Sequence, residues 1–140
     1  MTYDGTAKTA AVSGSVAGAV SGVKYDGAAT EPIGAGSYVI TADFLPDDAA
    51  NYNAIGSAAA GSFVINKADP GLSITNSPAD YDGTPKTANV VGSVPGAASN
   101  LTYNTVGAAP TNAGTYAVNA DFVPQDTANY NSLTGAAAGN

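Results

Sequence analysis

The sequence predicts an all-β chain built as two tandem, small antiparallel β-sandwiches, and three observations carry that prediction. Gly, Ala, Ser, Thr, Asn and Val dominate the 140 residues, giving short β-branched runs broken by turn formers. Helical periodicity is absent: the one candidate, residues 47–55, has room for a single turn among its Asn, Tyr and Gly neighbours. Finally, residues 1–62 recur without insertion or deletion as residues 79–140, with about half of the aligned positions identical. Tyr3-Asp4-Gly5-Thr6 falls on Tyr81-Asp82-Gly83-Thr84, Ala42-Asp43-Phe44 on Ala120-Asp121-Phe122, and Ala50-Asn51-Tyr52-Asn53 on Ala128-Asn129-Tyr130-Asn131. A period this long suits a small domain copied whole rather than a solenoid or propeller unit.

One complete period can be followed from Lys67. Residues 72–75 alternate apolar and polar side chains between Pro70-Gly71 and Ser77-Pro78 and read as a first strand, with Pro only at its borders. Asp82-Gly83 is a tight-turn pair. Residues 86–91 read as a second strand and residues 101–105 as a third, separated by a loop around Gly92, Pro95 and Gly96. After a loop containing Pro110 and Gly114 comes the longest strand, residues 115–123, which sets Tyr116, Val118, Ala120 and Phe122 on one face; Tyr38, Ile40, Ala42 and Phe44 repeat it. The segment 46–61 reads as a compact non-strand region carrying Asn51-Tyr52-Asn53, and the period closes with a strand at residues 63–65, extending toward Lys67. Phe44, Phe122, Tyr38, Tyr116, Ile40 and Val118 are the expected cores.

The expected domains are residues 1–67, a repeat lacking its opening strand, and residues 68–140, a repeat lacking its closing strand. They are joined by a short, nearly rigid hinge at residues 67–71, stiffened by Pro70. The runs Ala35-Gly36-Ser37-Tyr38 and Ala113-Gly114-Thr115-Tyr116 look like the entry to strand F of immunoglobulin domains, where a Gly precedes a corner-forming Tyr. Cysteine is absent, so packing alone must hold such sheets together.

Charge and chemistry exclude several function classes. Only 11% of residues are charged, against roughly a quarter in ordinary soluble domains. The net charge is −7, with only Lys8, Lys24, Lys67 and Lys86 on the positive side, so neither nucleic acid nor an anionic membrane is an expected partner. No stretch is long and apolar enough for membrane insertion, and Met1 opens no export signal, as expected of a piece of a larger exported protein. Without His or Cys no nucleophilic triad can form, and no enzyme activity, cofactor or resident metal is expected.

Asp47, Asp48, Asn51 and Asn53 place four oxygen-bearing side chains within seven residues, a composition that could serve calcium, which takes six to eight oxygens. The second copy keeps Asp126, Asn129 and Asn131 but has Gln125 for Asp47, and plain Asx-turn chemistry is the favoured reading. Tyr52 and Tyr130, each between two Asn, are the ligand-loop candidates for a glycan or host protein. An isopeptide bond from Lys8 or Lys86 is disfavoured: the assisting acid would have to be Asp, since the single Glu31 has Ala109 as its counterpart. The sequon Asn100-Leu101-Thr102 meets Gly22 in the other copy and reads as accident.

Taken in order, Tyr81-Asp82-Gly83-Thr84-Pro85-Lys86-Thr87, Asn112-Ala113-Gly114-Thr115-Tyr116 and Thr127-Ala128-Asn129-Tyr130-Asn131 resemble the MBG-type repeats found in many copies in large bacterial surface and adhesin-like proteins. The resemblance covers both copies; the first departs at Ala7, where the second has Pro85, and at Gly34, where it has Asn112. It implies an extracellular, immunoglobulin-like β-sandwich serving as a stalk or repetitive adhesive shaft on the bacterial cell surface, with no catalytic residues to carry over. Two functions follow. One is a structural module that self-associates head to tail through sheet edges, residues 133–140 of one chain meeting residues 1–8 of the next, because an unpaired edge recruits another strand and such a contact propagates. The other is an adhesive module recognising carbohydrate or host protein through its Tyr/Asn loops.

Overall fold

A computed structural model describes every residue, Met1–Asn140. The chain is all-β, without a helix, and divides into two compact units, Met1–Lys67 and Ala68–Asn140. The first unit holds a three-stranded antiparallel sheet of β1 (Gly18–Tyr25), β2 (Gly36–Pro46) and β3 (Ile55–Ile65), in that order. The second pairs β4 (Leu72–Ile74) with β5 (Val90–Gly92), and β6 (Gly96–Tyr103), β7 (Val118–Pro124) and β8 (Leu133–Gly139) form its three-stranded sheet.

The two three-stranded sheets share one register. Gly18 faces Pro46 as Gly96 faces Pro124, Tyr25 faces Ile40 as Tyr103 faces Val118, and both sheets are bulged at matching places, between Ser21 and Lys24 and between Ser99 and Thr102. A second bulge lies between Ala42 and Phe44 and between Ala120 and Phe122. It is pinned by the carboxylate facing it: Asp43 Oδ1 accepts the Ser57 N–H and Asp121 Oδ1 the Gly135 N–H, each at 2.7 Å. The extra residue lies on the outer strand, β3 or β8, where Ser57 and Gly135 take positive φ, so each central strand keeps its apolar face in step. In the second unit Val90, Tyr103, Val118, Ala120 and Ala138 form the buried cluster, with Leu72 and Ile74 packed against it, so β4-β5 and β6-β7-β8 face each other as two layers. The first unit buries Tyr25, Ile40, Ala42 and Ile65.

Each central Phe occupies a slot that only Gly can line. A Cβ at Gly92 or Gly96 would lie 2.2 or 2.4 Å from the Phe122 ring, and one at Gly14 or Gly18 would lie 2.3 or 2.6 Å from that of Phe44. Of the expected core, Phe122, Val118 and Ile40 are fully buried, whereas Tyr38, Tyr116 and Phe44 are half-buried. The corner role suggested for the two Tyr is present: Tyr38 Oη donates to the Gly34 carbonyl at 2.8 Å and Tyr116 Oη to that of Asn112 at 3.0 Å.

Three strand expectations need correcting. Residues 55–61 and their counterparts are not a compact loop, because β3 runs continuously from Ile55 to Ile65 and β8 covers Leu133–Gly139. The second repeat thus has the counterpart of residues 55–61, the first part of β3, and not that of residues 63–65, the closing strand in the expected sense. An Ala/Gly run shows neither alternation nor β-branching, and pairing to β2 or β7 supplies the strand that propensity does not. The strand expected at residues 101–105 starts at Gly96 and stops at Tyr103, since Asn104 and Thr105 form a left-handed hairpin turn. That expected at residues 86–91 shrinks to Val90–Gly92.

Candidate functional site

The two units differ mainly in which part of the sandwich is covered. In the first unit no strand takes the place of β4, so Val12–Gly14, the counterparts of β5, pair with nothing. A groove of about 420 Å³ opens there, lined by Val12, Gly14, Val16, Phe44, Tyr52 and Ile55 among others. Exposure follows: Phe122 is 1% exposed and Val90 and Ala138 are buried, whereas Phe44 and Val12 are half-buried, Ala60 is exposed and Ile55 is 51% exposed. The open edge is not at residues 1–8, where the sequence placed it. Met1–Tyr3 already runs parallel to the end of β3, with the Asn66 N–H donating to the Met1 carbonyl at 2.7 Å and the Tyr3 N–H to the Asn66 carbonyl at 2.8 Å.

In the second unit the uncovered place is the opposite one. Ala79–Tyr81, the counterparts of Met1–Tyr3, make no β-bridge, and Tyr81 is 65% exposed where Tyr3 is half-buried. A groove of about 350 Å³ lies beside it, lined by Tyr81, Ala88, Tyr103, Pro110, Tyr116 and Asn140 among others. In the first unit the end of β3 fills this place. There Phe63 pairs with Tyr38 and sets its ring edge-on to Tyr25, centroids 5.9 Å apart.

The predicted ligand loops are turns. Asp48 Oδ2 accepts the Asn51 side-chain amide at 2.7 Å and Oδ1 the Asn51 N–H at 3.2 Å; Asp126 and Asn129 repeat this at 2.9 and 3.2 Å. The Asn51 amide bond is the chief reason that the Asp48 carboxyl lies below the usual carboxylate range. Asp47 lies next to this turn, its N–H bonded to the Ala17 carbonyl. Nowhere do three or more His, Cys, Asp or Glu side chains come together to hold a metal ion. Tyr52 is half exposed, and Tyr130 is more covered. The other repeated aspartates also serve turns: Asp4 pairs with Lys8 and Asp82 with Lys86, which holds both carboxyls well below the ordinary range although both are exposed.

One role of the Asn-Tyr-Asn triplet escaped the sequence reading. In the second unit it clamps the segment leading into β4: the Ala68 N–H donates to the Asn129 carbonyl, the Asn131 N–H to the Ala68 carbonyl, each at 2.9 Å, and the Asn131 amide to Asp69 Oδ1 at 2.7 Å. The available signal was that Asn53 and Asn131 are identical in both copies, since a plain turn closed by Asp and the first Asn has no use for the second.

A family model described as MBG domain matches the chain twice, over residues 1–69 and 72–140. No curated protein and no solved structure matches.

Proposed function

We propose, from the premise that the chain belongs to the MBG domain family in both of its halves, that it is a structural repeat module of a bacterial extracellular surface protein whose repeats join end to end through β-strand edges. The observation that carries this reading is that two copies of one domain follow each other in the chain, each built around a three-stranded sheet of the same register. Unpaired strand edges beside apolar grooves recruit further strands, and a contact between unlike ends propagates rather than closing into a dimer. The segment 63–75 illustrates the joint, ending one sandwich at Ile65 and entering the next at Leu72. Aspartates engaged in turns, in a chain without His or Cys, support a non-catalytic role.

The test appends a second copy of residues 63–76 after Asn140, where it continues β8 as Phe63 continues β3. Light scattering at several concentrations should show longer assemblies for the extended chain than for the parent. An extension carrying Leu72→Asp and Ile74→Asp should not assemble further. If all three scatter alike, strand exchange does not join the repeats. A second reading, adhesion to a carbohydrate or host protein, draws on the half-exposed Tyr52 ring between Asn51 and Asn53; binding on a glycan array abolished by Tyr52→Ala would support it.

A further inference from the structure

We propose that each unit is a load-bearing module, its entry and exit segments latched side by side and parallel, so that tension along the chain meets them in shear. That tension reaches the chain rests on the structural-repeat reading; the latches stand on the geometry of each unit.

The units hold their ends in the same manner with different residues. In the first, Thr2 bridges Asn66 in parallel. The Asn66 N–H donates to the Met1 carbonyl at 2.7 Å, the Tyr3 N–H to the Asn66 carbonyl at 2.8 Å, and the Met1 nitrogen to the Val64 carbonyl at 3.1 Å. In the second, Ala68 bridges Tyr130 in parallel. There the Ala68 N–H donates to the Asn129 carbonyl and the Asn131 N–H to the Ala68 carbonyl, each at 2.9 Å, and the Asn131 amide to Asp69 Oδ1 at 2.7 Å. Asn66 continues β3 and Asn131 leads into β8, the last strand of each three-stranded sheet. Every other strand pairing in the chain is antiparallel.

Direction decides what such a pairing resists. When the ends of a unit are pulled apart, the entry segment is drawn toward its own start and the exit strand toward its own end. Parallel neighbours then slide along each other, and the bonds that cross between them are strained together rather than one by one. In the second unit the load travels along the covalent chain of β8 to Asn131 and across to Ala68, so β4 carries none until the latch gives. Only Lys67 separates Asn66 from Ala68, and tension passes from one latch to the next with no slack chain between them. Resistance to force is set by the unfolding barrier and not by equilibrium stability. A thin sandwich with few buried apolar residues can therefore withstand tension that its core alone would not.

The test is single-molecule force spectroscopy on the intact chain, held through a Cys added before Met1 and another after Asn140, the sequence having none of its own. Two unfolding peaks are expected, each lengthening the chain by about 200 Å, the reach of roughly 60 extended residues. Asn66→Pro, at an exposed position, removes the N–H given to Met1 and should lower one peak while leaving the other unmoved. Ala68→Pro removes the N–H given to Asn129 and should lower the other peak alone. Gly27→Thr and Thr105→Gly alter turns off the load path; each should shift the urea unfolding midpoint and neither peak. Where a Pro variant also shifts that midpoint, Asn131→Ala decides, since it removes only the amide bond to Asp69: a lower peak at an unchanged midpoint upholds the latch, and an unchanged peak overturns it. Peaks that track the urea midpoint across all variants, or unfolding without peaks, would overturn the proposal. Latched peaks in an extended chain that stays monomeric by light scattering would uphold the latches and overturn end-to-end assembly.

Discussion

At the scale of single residues the two copies form a natural comparison, and the hairpin after Tyr25 and Tyr103 is its clearest case. Asp26 and Gly27 have φ of 48° and 84°, the left-handed pair that a two-residue turn requires, and Asn104 and Thr105 have 46° and 74°. Asp and Asn suit the first place, where each also accepts a backbone N–H, from Val39 at 2.7 Å and Ala117 at 2.8 Å. Thr at the second place does not: a left-handed L-residue costs roughly 1–2 kcal/mol, of which the extra unfolded freedom of Gly would take back about 0.5–1. Thr105→Gly should accordingly stabilise the second unit by about 0.5–1 kcal/mol, and Gly27→Thr should weaken the first by a similar amount, since nothing lies within 4 Å of a Cβ there. Urea unfolding midpoints of the variants check both signs. The Asp-Gly turns and the corner Tyr pair could be read from the sequence because their chemistry is local. Thr105 could not, because a β-branched residue in a left-handed turn contradicts its own propensity, and the expected strand ran straight through it.

At the scale of elements, a strand's worth depends on what covers it. Phe122 and Phe44 occupy matching places between paired Gly residues, yet Phe122 is sealed whereas Phe44 lines the open groove. Phe122→Ala should cost about 3–5 kcal/mol, enough to unfold a thin sandwich, and Phe44→Ala distinctly less, because part of that ring is already in water. Residue-resolved hydrogen exchange separates the units; equal losses would mean that the groove is not open in solution. The alternating faces of β2, β4 and β7 were legible in the sequence, since each alternates apolar with polar residues. The small-residue strands were not: Ala58, Ala59, Ala60 and Gly61 bear no pattern, and only pairing to β2 makes them a strand. The groove was legible as a missing strand but misplaced, because nothing in Met1–Tyr3 announces a parallel bridge to Asn66.

At the scale of the whole molecule, the repeat itself was the most legible feature, since a gapless match over residues 1–62 and 79–140 forces two copies of one fold. Which face of each copy is covered depends on long-range pairing, by β4 in the second unit and by the end of β3 in the first, so the grooves emerge only once pairing is known. Net charge then sets the conditions under which copies meet. Each chain carries −7, and an extension of residues 63–76 adds one Lys and one Asp, leaving that charge unchanged. Like-charged copies repel, whereas strand pairing and apolar cover are indifferent to salt. Raising ionic strength from about 0.01 to 0.15 M shortens the screening length from about 30 to about 8 Å. Assembly of the extended chain should therefore grow as salt is added and then level off once repulsion is screened, as sedimentation velocity can follow at pH 7. A contact carried by opposite charges would behave in the reverse way, and assembly that declined steadily with salt would remove strand exchange as its cause.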